Sequence, residues 1–208
     1  MKTNSKHLGL VTKKFNEFFF VDLKNKENFG NSERFLCKVR KSINFKDQFI
    51  YVGDEVEIDN IDLTSKRAVI ASLKKRQNLL NRPSVANISN IYITFSVEEP
   101  KLNLSQVNRF LISAESLGVE VSLVLTKCDL ISDKKQIFLL DKFKKWGYQA
   151  ITLNLHKSDH FEDLLAQLKK KKCSIFMGPS GVGKTTLLNK IIPGLQNSTA
   201  PVSNKIKR

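Results

Sequence analysis

A glycine-rich octapeptide in the last fifth of the chain limits the possible folds more than any other feature of the sequence. Residues 178–185 match the pattern G-x-x-x-x-G-K-[ST] at every fixed position. A mostly apolar run, residues 173–177, precedes this loop, and apolar residues at helical spacing follow it over residues 187–192. A strand, a glycine loop and a helix in this succession predict an α/β domain that binds phosphate groups where the helix begins.

Each residue type in this loop has a chemical reason. The glycines allow the backbone N–H groups to face inward, towards phosphate oxygens. Lys184 is predicted to place its ammonium group on the β- and γ-phosphates of a nucleotide, and Thr185 its hydroxyl on Mg²⁺. These two residues are the candidate catalytic residues. The predicted phosphate-contacting residues are Gly178, Pro179, Ser180, Gly181, Val182, Gly183, Lys184, Thr185 and Thr186.

A second motif follows a predicted buried strand, residues 119–125. In G domains an Asn-Lys-x-Asp segment at such a strand end reads guanine. Its carboxylate accepts hydrogen bonds from the ring N–H and the exocyclic amine, a pair of donors that adenine does not offer on that edge. Thr126 stands where asparagine is usual, so we expect one supporting hydrogen bond to differ. The predicted guanine-reading residues are Thr126, Lys127, Cys128 and Asp129.

The order of the two motifs is the reverse of that in an ordinary G domain, in which the phosphate loop comes first. Here Asp129 precedes Gly178 by about 50 residues. From Asn87 onwards, predicted strands and helices alternate, which indicates a parallel sheet covered on both faces. The sequence therefore predicts a circularly permuted P-loop G domain of the α/β class over residues 87–208.

Short strands with turn residues between them dominate residues 1–75 and predict a small all-β barrel. Five strands at this size predict an oligonucleotide-binding (OB) barrel, with a generic SH3-like barrel as the alternative. Residues 76–86 are polar and basic, contain Pro83, and are predicted to be a linker. Residues 18–20 are three consecutive phenylalanines, for which we expect core packing more than exposure to RNA.

The charge of the chain indicates a polyanionic partner. Lys and Arg number 35 against 20 Asp and Glu, which gives a formal net charge of +15, and such a surface is typical of nucleic-acid binding. The three cysteines are far apart in sequence, so neither a disulfide framework nor a zinc site is predicted. No apolar run is long enough for a membrane helix, and no secretory signal is recognisable. We therefore expect a cytoplasmic protein without a membrane partner.

Taken together, these motifs resemble one family, the permuted GTPases of small ribosomal subunit biogenesis (the RsgA or YjeQ type). The resemblance implies GTP and GDP as ligands, Mg²⁺ as cofactor, and GTP hydrolysis stimulated by the 30S subunit. It also implies a barrel that contacts 16S-type rRNA, a late role in subunit maturation, a monomer, and a bacterial cytoplasmic location, with the plastid stroma as the alternative. The motifs that carry it are residues 52–56, 79–83, 126–129 and 178–189.

The switch segments of such a domain should follow the phosphate-loop helix and supply a threonine and an Asp-x-x-Gly. No Asp or Glu follows Asp163 in the sequence, and the zinc-binding domain typical of the family is not expected within these residues. The chain is then either a piece of a longer protein or naturally truncated. Because residues 204–208 would lead into the first switch, we expect a piece of a longer protein.

Three functional hypotheses follow from these observations. The first is a GTPase acting in small-subunit assembly. The second is a nucleotide-gated RNA-binding module with little or no hydrolysis, which the missing switch segments would favour. The third, an ATP-using enzyme on nucleic acid, rests on the phosphate loop alone and conflicts with Asp129.

Overall fold

The chain forms two compact units, Met1–Ile88 and Ser89–Arg208. The structure, a computed structural model, describes residues 2–3, 6–23, 33–40, 49–154 and 160–192. The predicted helix cap Ser158 and the tail at 204–208 lie outside these residues. None of the helices in the described ranges combines the length and the apolar character required to cross a membrane.

The first unit is a closed barrel. Strands β2, β3, β4, β6 and β5 pair in that order around the ring, and β5 returns to β2. All pairs are antiparallel except β4 with β6. This Greek-key topology of five strands confirms the OB-type barrel over the SH3-like alternative. The strands are β1 Lys2–Thr3, which pairs with β5 at the edge, β2 His7–Phe15, β3 Phe18–Leu23, β4 Arg34–Val39, β5 Glu55–Asp62 and β6 Arg67–Leu73.

The sequence pattern predicts one continued strand over residues 9–21 and another over residues 49–52, and both predictions are wrong. Residues 9–21 are not one continued strand, because Asn16 adopts a left-handed backbone with φ 53° and turns the chain between β2 and β3. Residues 49–52 are not a full strand either, and Val52 makes only an isolated bridge to Val85. Alternation of apolar and polar residues did not reveal the turn at Asn16, because a single Asn can adopt the left-handed conformation without interrupting the pattern.

Alternation along the strands fills the barrel from one face of each strand. In β3 the side chains of Phe19 and Val21 are buried, whereas those of Phe18 and Phe20 are only partly covered and lie on the outer face. The three phenylalanines therefore divide between core and surface. The buried barrel core consists of Val11, Phe19, Val21, Phe35, Cys37, Ile50, Val56, Ile58, Ile61, Ala68 and Ile70.

The segment predicted to be a linker has regular structure. Strands β7 Leu79–Asn81 and β8 Ser84–Ala86 form an antiparallel hairpin. The N–H of Ala86 donates to the carbonyl of Val52 at 2.8 Å. A Cβ atom on Gly53, which has φ 89°, would lie only 2.1 Å from the Ala86 oxygen. The hairpin therefore packs on the turn at Gly53, and residues 76–86 belong with the barrel unit.

A buried ion pair holds the same turn. Asp54 is fully buried, and its two carboxylate oxygens accept hydrogen bonds from Arg76 Nε and Nη2, both at 2.7 Å. The N–H of Tyr51 adds a third at 2.8 Å. Hydrogen bonding to Asp54 raises the pKa of the Arg76 guanidinium, which therefore stays charged. The pair joins the chain just before β5 to the chain just after β6.

Replacing Arg76 by methionine is expected to lower the free energy of unfolding of the barrel unit by about 3–5 kcal/mol, because a buried carboxylate is left without its partner. Urea denaturation followed by circular dichroism measures the change. Arg34→Met is the matched control: Arg34 pairs with Asp22 through an exposed guanidinium, and such a pair contributes about 1 kcal/mol or less. Equal effects of the two substitutions would contradict the prediction.

The second unit is a four-stranded parallel sheet in the order β11-β10-β9-β12. Every residue of the central strand β9 is buried, as expected for a parallel strand covered on both faces. This confirms the predicted α/β class. The strands are β9 Asn90–Ser96, β10 Glu120–Thr126, β11 Gln149–Thr152 and β12 Ser174–Met177, and the helices are α1 Leu104–Glu115, α2 Asp133–Lys145, α3 Phe161–Lys169 and α4 Lys184–Ile191.

Helix ends follow local sequence signals. The sequence offers Asn103 or Ser105 as the cap of α1; in the structure it is Asn103, whose side chain accepts a hydrogen bond from the Gln106 N–H at 3.1 Å. Gly118 and Gly147 follow α1 and α2 with positive φ, as glycines at helix ends commonly do. Trp146 differs from expectation. Its place at the end of an amphipathic helix predicts a core residue, but at the end of α2 it is 37% exposed.

Candidate nucleotide-binding site

The two sequence motifs meet at one edge of the parallel sheet. The phosphate loop leaves the carboxyl end of β12, and the guanine-reading segment begins at Thr126, the last residue of β10. Only β9 separates these two strands. Two segments about 50 residues apart in sequence therefore lie close together in space. Ligands bind at the carboxyl ends of the strands in an open α/β sheet.

Glycines shape the phosphate loop at the positions where the backbone requires them. Gly178 has φ 150°, and a Cβ atom there would lie 2.1 Å from the carbonyl oxygen of Thr94. Gly181 and Gly183 have φ 81° and 88°, in the left-handed region that favours glycine. The loop therefore lies directly on β9 and then turns into the first residues of α4.

Lys184 is the first residue of α4, and its side chain bends back over the loop. Its Nζ donates to the carbonyl of Gly178 at 2.9 Å and to that of Pro179 at 2.5 Å. Partial burial lowers the pKa of this amine, because desolvation disfavours its charged form. The ammonium is thus held inside the loop, where the phosphates of a nucleotide would replace carbonyl oxygens as its partners.

The remaining loop residues divide between core and surface. Val182 is buried, Ser180 and Thr186 are exposed, and Thr185 in the first turn of α4 is half-buried. The first-turn N–H groups of a helix have no intrahelical acceptor, and they carry the positive end of the helix dipole. The loop therefore offers an ammonium group, free amide donors and a threonine hydroxyl at one place.

Thr126 connects the base-reading segment to the phosphate loop. Its side chain is fully buried, and its hydroxyl lies 2.7 Å from the Val182 carbonyl and 3.3 Å from the Phe95 carbonyl, with the proton available for one of them at a time. The sequence indicated that a threonine here changes a supporting hydrogen bond. In the structure that hydroxyl ties the end of β10 to the phosphate loop, so the two halves of the site form one unit.

Lys127 begins the turn that follows β10. It adopts a left-handed backbone with φ 55°, and its Nζ donates to the carbonyl of Glu99. The stem of the side chain therefore extends along the carboxyl edge of the sheet towards the loop after β9. A base-reading lysine needs this placement, because its aliphatic part must lie along the plane of the base.

Cys128 and Asp129 lie in a short 3₁₀ turn, Cys128–Leu130. Cys128 is buried, its thiol contacts the Leu125 carbonyl at 3.2 Å, and burial raises its pKa to about 11. It is therefore a packing residue and not a nucleophile. Asp129 is exposed and lines a pocket of about 390 Å³, a volume within the usual range of small-molecule sites.

The pocket also contains residues that the sequence analysis did not select. They come from the start of α2 and the chain just before it, and from the end of β11 and the chain after it; β11 is the strand next to β10. The rule that neighbouring parallel strands end at the same edge of a sheet would point to the residues that follow β11. These additional lining residues are Ile131, Asp133, Gln136, Thr152, Asn154 and His160.

Comparison with known proteins decides the family. The family model described as RsgA GTPase matches residues 73–208. A protein named small ribosomal subunit biogenesis GTPase RsgA, from Prochlorococcus marinus (strain NATL1A), is 38% identical over 212 residues, which cover 99% of this chain and 68% of that relative. The chain belongs to the RsgA GTPase family. A protein of the same name from Synechococcus sp. (strain CC9605) is 38% identical over 179 residues, or 86% of this chain and 59% of that relative.

Solved structures agree with this membership of the RsgA GTPase family. YjeQ from Thermotoga maritima superposes with a TM-score of 0.82 and 31% identity, over 94% of this chain and 68% of that one. YloQ, described as a circularly permuted GTPase, has a TM-score of 0.76 and 24% identity, over 90% and 64%, and shares the fold. The resemblance inferred from the motifs is confirmed, as are the permuted G domain and the enzyme class, a GTP-hydrolysing one.

Proposed function

We propose that this chain binds GTP and GDP at the site between β10 and β12 and hydrolyses GTP in the assembly of the small ribosomal subunit. One observation supports the nucleotide assignment above the others: the Thr126 hydroxyl contacts the Val182 carbonyl at 2.7 Å. A base-reading segment and a phosphate loop joined in this way can hold the two ends of one guanine nucleotide.

Guanine is the base that fits this site. The carboxylate of Asp129 offers two acceptors at the rim of the pocket, for the ring N–H and the exocyclic amine of guanine. Adenine would leave such a carboxylate without hydrogen-bond donors. The binding free energy lost in this way is far larger than that lost through an imperfect apolar contact. Titration with fluorescent GDP, GTP and ATP analogues tests this step, and equal affinities for GTP and ATP would refute it.

Magnesium fits the residues present through Thr185. A hard cation with octahedral geometry is commonly held by one or two protein oxygens together with phosphate oxygens and water, and a first-turn threonine supplies one such oxygen. Bound magnesium would neutralise charge on the phosphate oxygens. Among the described residues there is no group of three or more His, Cys, Asp or Glu side chains placed to hold a metal ion, so zinc is not part of this proposal.

The barrel surface supports an RNA partner. On the outer face of β3, the ring of Phe18 lies 4.7 Å from the Nζ of Lys38, and the ring of Phe20 lies 6.0 Å from that of Lys13. Lysines that lie beside aromatic rings on an OB barrel are suited to phosphates and stacked bases together. We propose that this face contacts 16S-type rRNA in the 30S subunit, and that the chain works as a monomer in a bacterial cytoplasm.

Single-turnover hydrolysis, measured with and without purified 30S subunits, tests the proposal as a whole. We expect GTP cleavage to be faster with subunits, and co-sedimentation with subunits to weaken steeply as salt rises, because lysine contacts to phosphates release counterions. Subunit binding with no hydrolysis above the uncatalysed rate would favour the binding-only hypothesis. Absence of subunit binding at low salt would refute the ribosomal role.

A further inference from the structure

The outer face of helix α2 carries an alternation of basic and aromatic side chains. Lys134, Phe138, Lys142 and Trp146 follow one another at intervals of four residues, so they lie on one side of the helix; we call these four residues the α2 stripe. The side chain of Phe138 is 62% exposed, and Ile137 beside it is 58% exposed. None of these four residues lines the pocket at Asp129.

One of the two aromatic rings of the α2 stripe is held by the core. The ring of Trp146 meets that of the fully buried Phe143 edge to face, with centroids 5.5 Å apart. The Nζ of Lys142 lies 5.7 Å from the ring of Trp146 and 6.0 Å from that of Phe138. A cation therefore lies between two exposed aromatic side chains, and the packing of Trp146 on Phe143 reduces the entropy that this ring would lose on binding.

The charge around the α2 stripe is predominantly positive. Within the described part of the chain, none of Lys134, Lys142, Lys144 and Lys145 takes part in an ion pair, whereas Lys135 pairs with Glu98. Asp141 is the acidic residue in the middle of this face. Four unpaired ammonium groups disfavour an uncharged protein partner, because docking would desolvate them without compensation.

We propose that the α2 stripe binds single-stranded RNA, with bases stacked on Phe138 and Trp146 and phosphates on the lysines. Aromatic platforms beside a basic groove are the arrangement that binds single strands without sequence preference. The two aromatic residues are eight positions apart, about 12 Å along the helix, with Lys142 between them to meet the backbone. The inference rests on the proposed function for its RNA partner, and adds a contact surface on the second unit.

The sequence provides a direct probe, because Trp146 is the one tryptophan of the chain. The 208-residue protein is titrated with a single-stranded oligouridine while tryptophan emission and the anisotropy of labelled RNA are recorded together. We expect quenching that follows the anisotropy curve. Phe138→Ala should weaken binding about tenfold through loss of one stacked base, and Lys142→Gln should lower the slope of log K against log salt by about 0.7.

Matched substitutions elsewhere on the second unit separate this surface from general charge and hydrophobicity. Ile112 on α1 is 69% exposed and Lys169 on α3 is exposed, so Ile112→Ala and Lys169→Gln should leave both curves unchanged. Unchanged tryptophan emission at saturating RNA would overturn the inference and show that RNA binds elsewhere. So would wild-type affinity in Phe138→Ala, since that exposed side chain can be truncated without loss of folding.

Two other occupants are outcomes of the same design. Poly-glutamate that quenches Trp146 and displaces RNA from this surface at equal concentration would indicate an acidic protein partner and overturn the inference. A dimer in sedimentation without RNA, lost in Phe138→Ala, would indicate a second copy of the chain and overturn it too. GTP hydrolysis stimulated by 30S subunits is measured in a separate experiment. The proposed function can therefore hold when the RNA-binding inference fails, and the inference can hold when the proposed function fails.

Discussion

Replacing Lys184 by alanine is expected to weaken GDP binding between about tenfold and a hundredfold and GTP binding by more. A hydrogen bond to a charged group contributes about 1.5–3 kcal/mol, and each 1.4 kcal/mol is a factor of ten in affinity. GTP loses more because its γ-phosphate adds charge that the same ammonium group would meet. Competition against a fluorescent GDP analogue measures both constants.

The structure provides the reasons for this expectation and its controls. The Nζ of Lys184 already lies within the loop, on the carbonyls of Gly178 and Pro179, so its removal deletes a positioned charge. Lys172→Ala removes an exposed lysine that precedes β12 and should change neither constant. Burial lowers the pKa of Lys184, so this amine loses its charge at a lower pH than an exposed lysine does. The nucleotide affinity of the wild type should therefore begin to fall at a lower alkaline pH than that of a site with an exposed lysine. GDP affinity retained in Lys184→Ala would contradict the assignment.

The motifs could be predicted from sequence because their chemistry is local. The glycines and Lys184 lie within eight consecutive residues, and their pattern is recognisable without knowledge of the rest of the fold. The parallel sheet followed from alternation of apolar runs with helical spacing, and the cap at Asn103 followed from one residue type before a helix. In each case a short-range rule, satisfied by a few consecutive residues, was enough.

Features that depend on long-range contacts were not predictable in this way. The hairpin at residues 79–86 packs on the Val52–Gly53 turn, about 30 residues earlier in the chain. The polar sequence of the segment itself did not indicate this contact. The exposure of Trp146 depends on where Phe143 packs. The bond from Thr126 to Val182 spans 56 residues, and a sequence pattern could indicate only that a side chain had changed.

Circular permutation leaves the site intact because the sheet, and not the chain order, assembles it. β9 lies between β10 and β12, and its carboxyl end supplies the Phe95 carbonyl near Thr126 and the Thr94 carbonyl against Gly178. The central strand therefore supports both halves of the site. A substitution that distorts this end of β9 should affect base recognition and phosphate binding together, whereas substitution of Lys184 or Asp129 should affect one half only.

Asp129→Asn is expected to weaken GTP binding at least a hundredfold while making xanthosine triphosphate a better ligand than GTP. The substitution removes two charge-assisted hydrogen bonds, each worth about 1.5–3 kcal/mol. Xanthine carries a carbonyl where guanine carries the exocyclic amine, and an asparagine amide can donate to that oxygen. Because the side chain at position 129 then donates where it accepted before, the preference changes from guanine to xanthine. Titrations with both nucleotides on wild type and variant measure the change.

Asp133→Asn provides the matched control for this reversal. Asp133 lines the same pocket from the first turn of α2 and is exposed, as Asp129 is, so the two substitutions make the same chemical change a few residues apart. If Asp129 reads the base, only its substitution should exchange guanine for xanthine preference, and Asp133→Asn should bind GTP as the wild type does. A reversal in Asp133→Asn, with Asp129→Asn unaffected, would move base recognition from the 3₁₀ turn to helix α2.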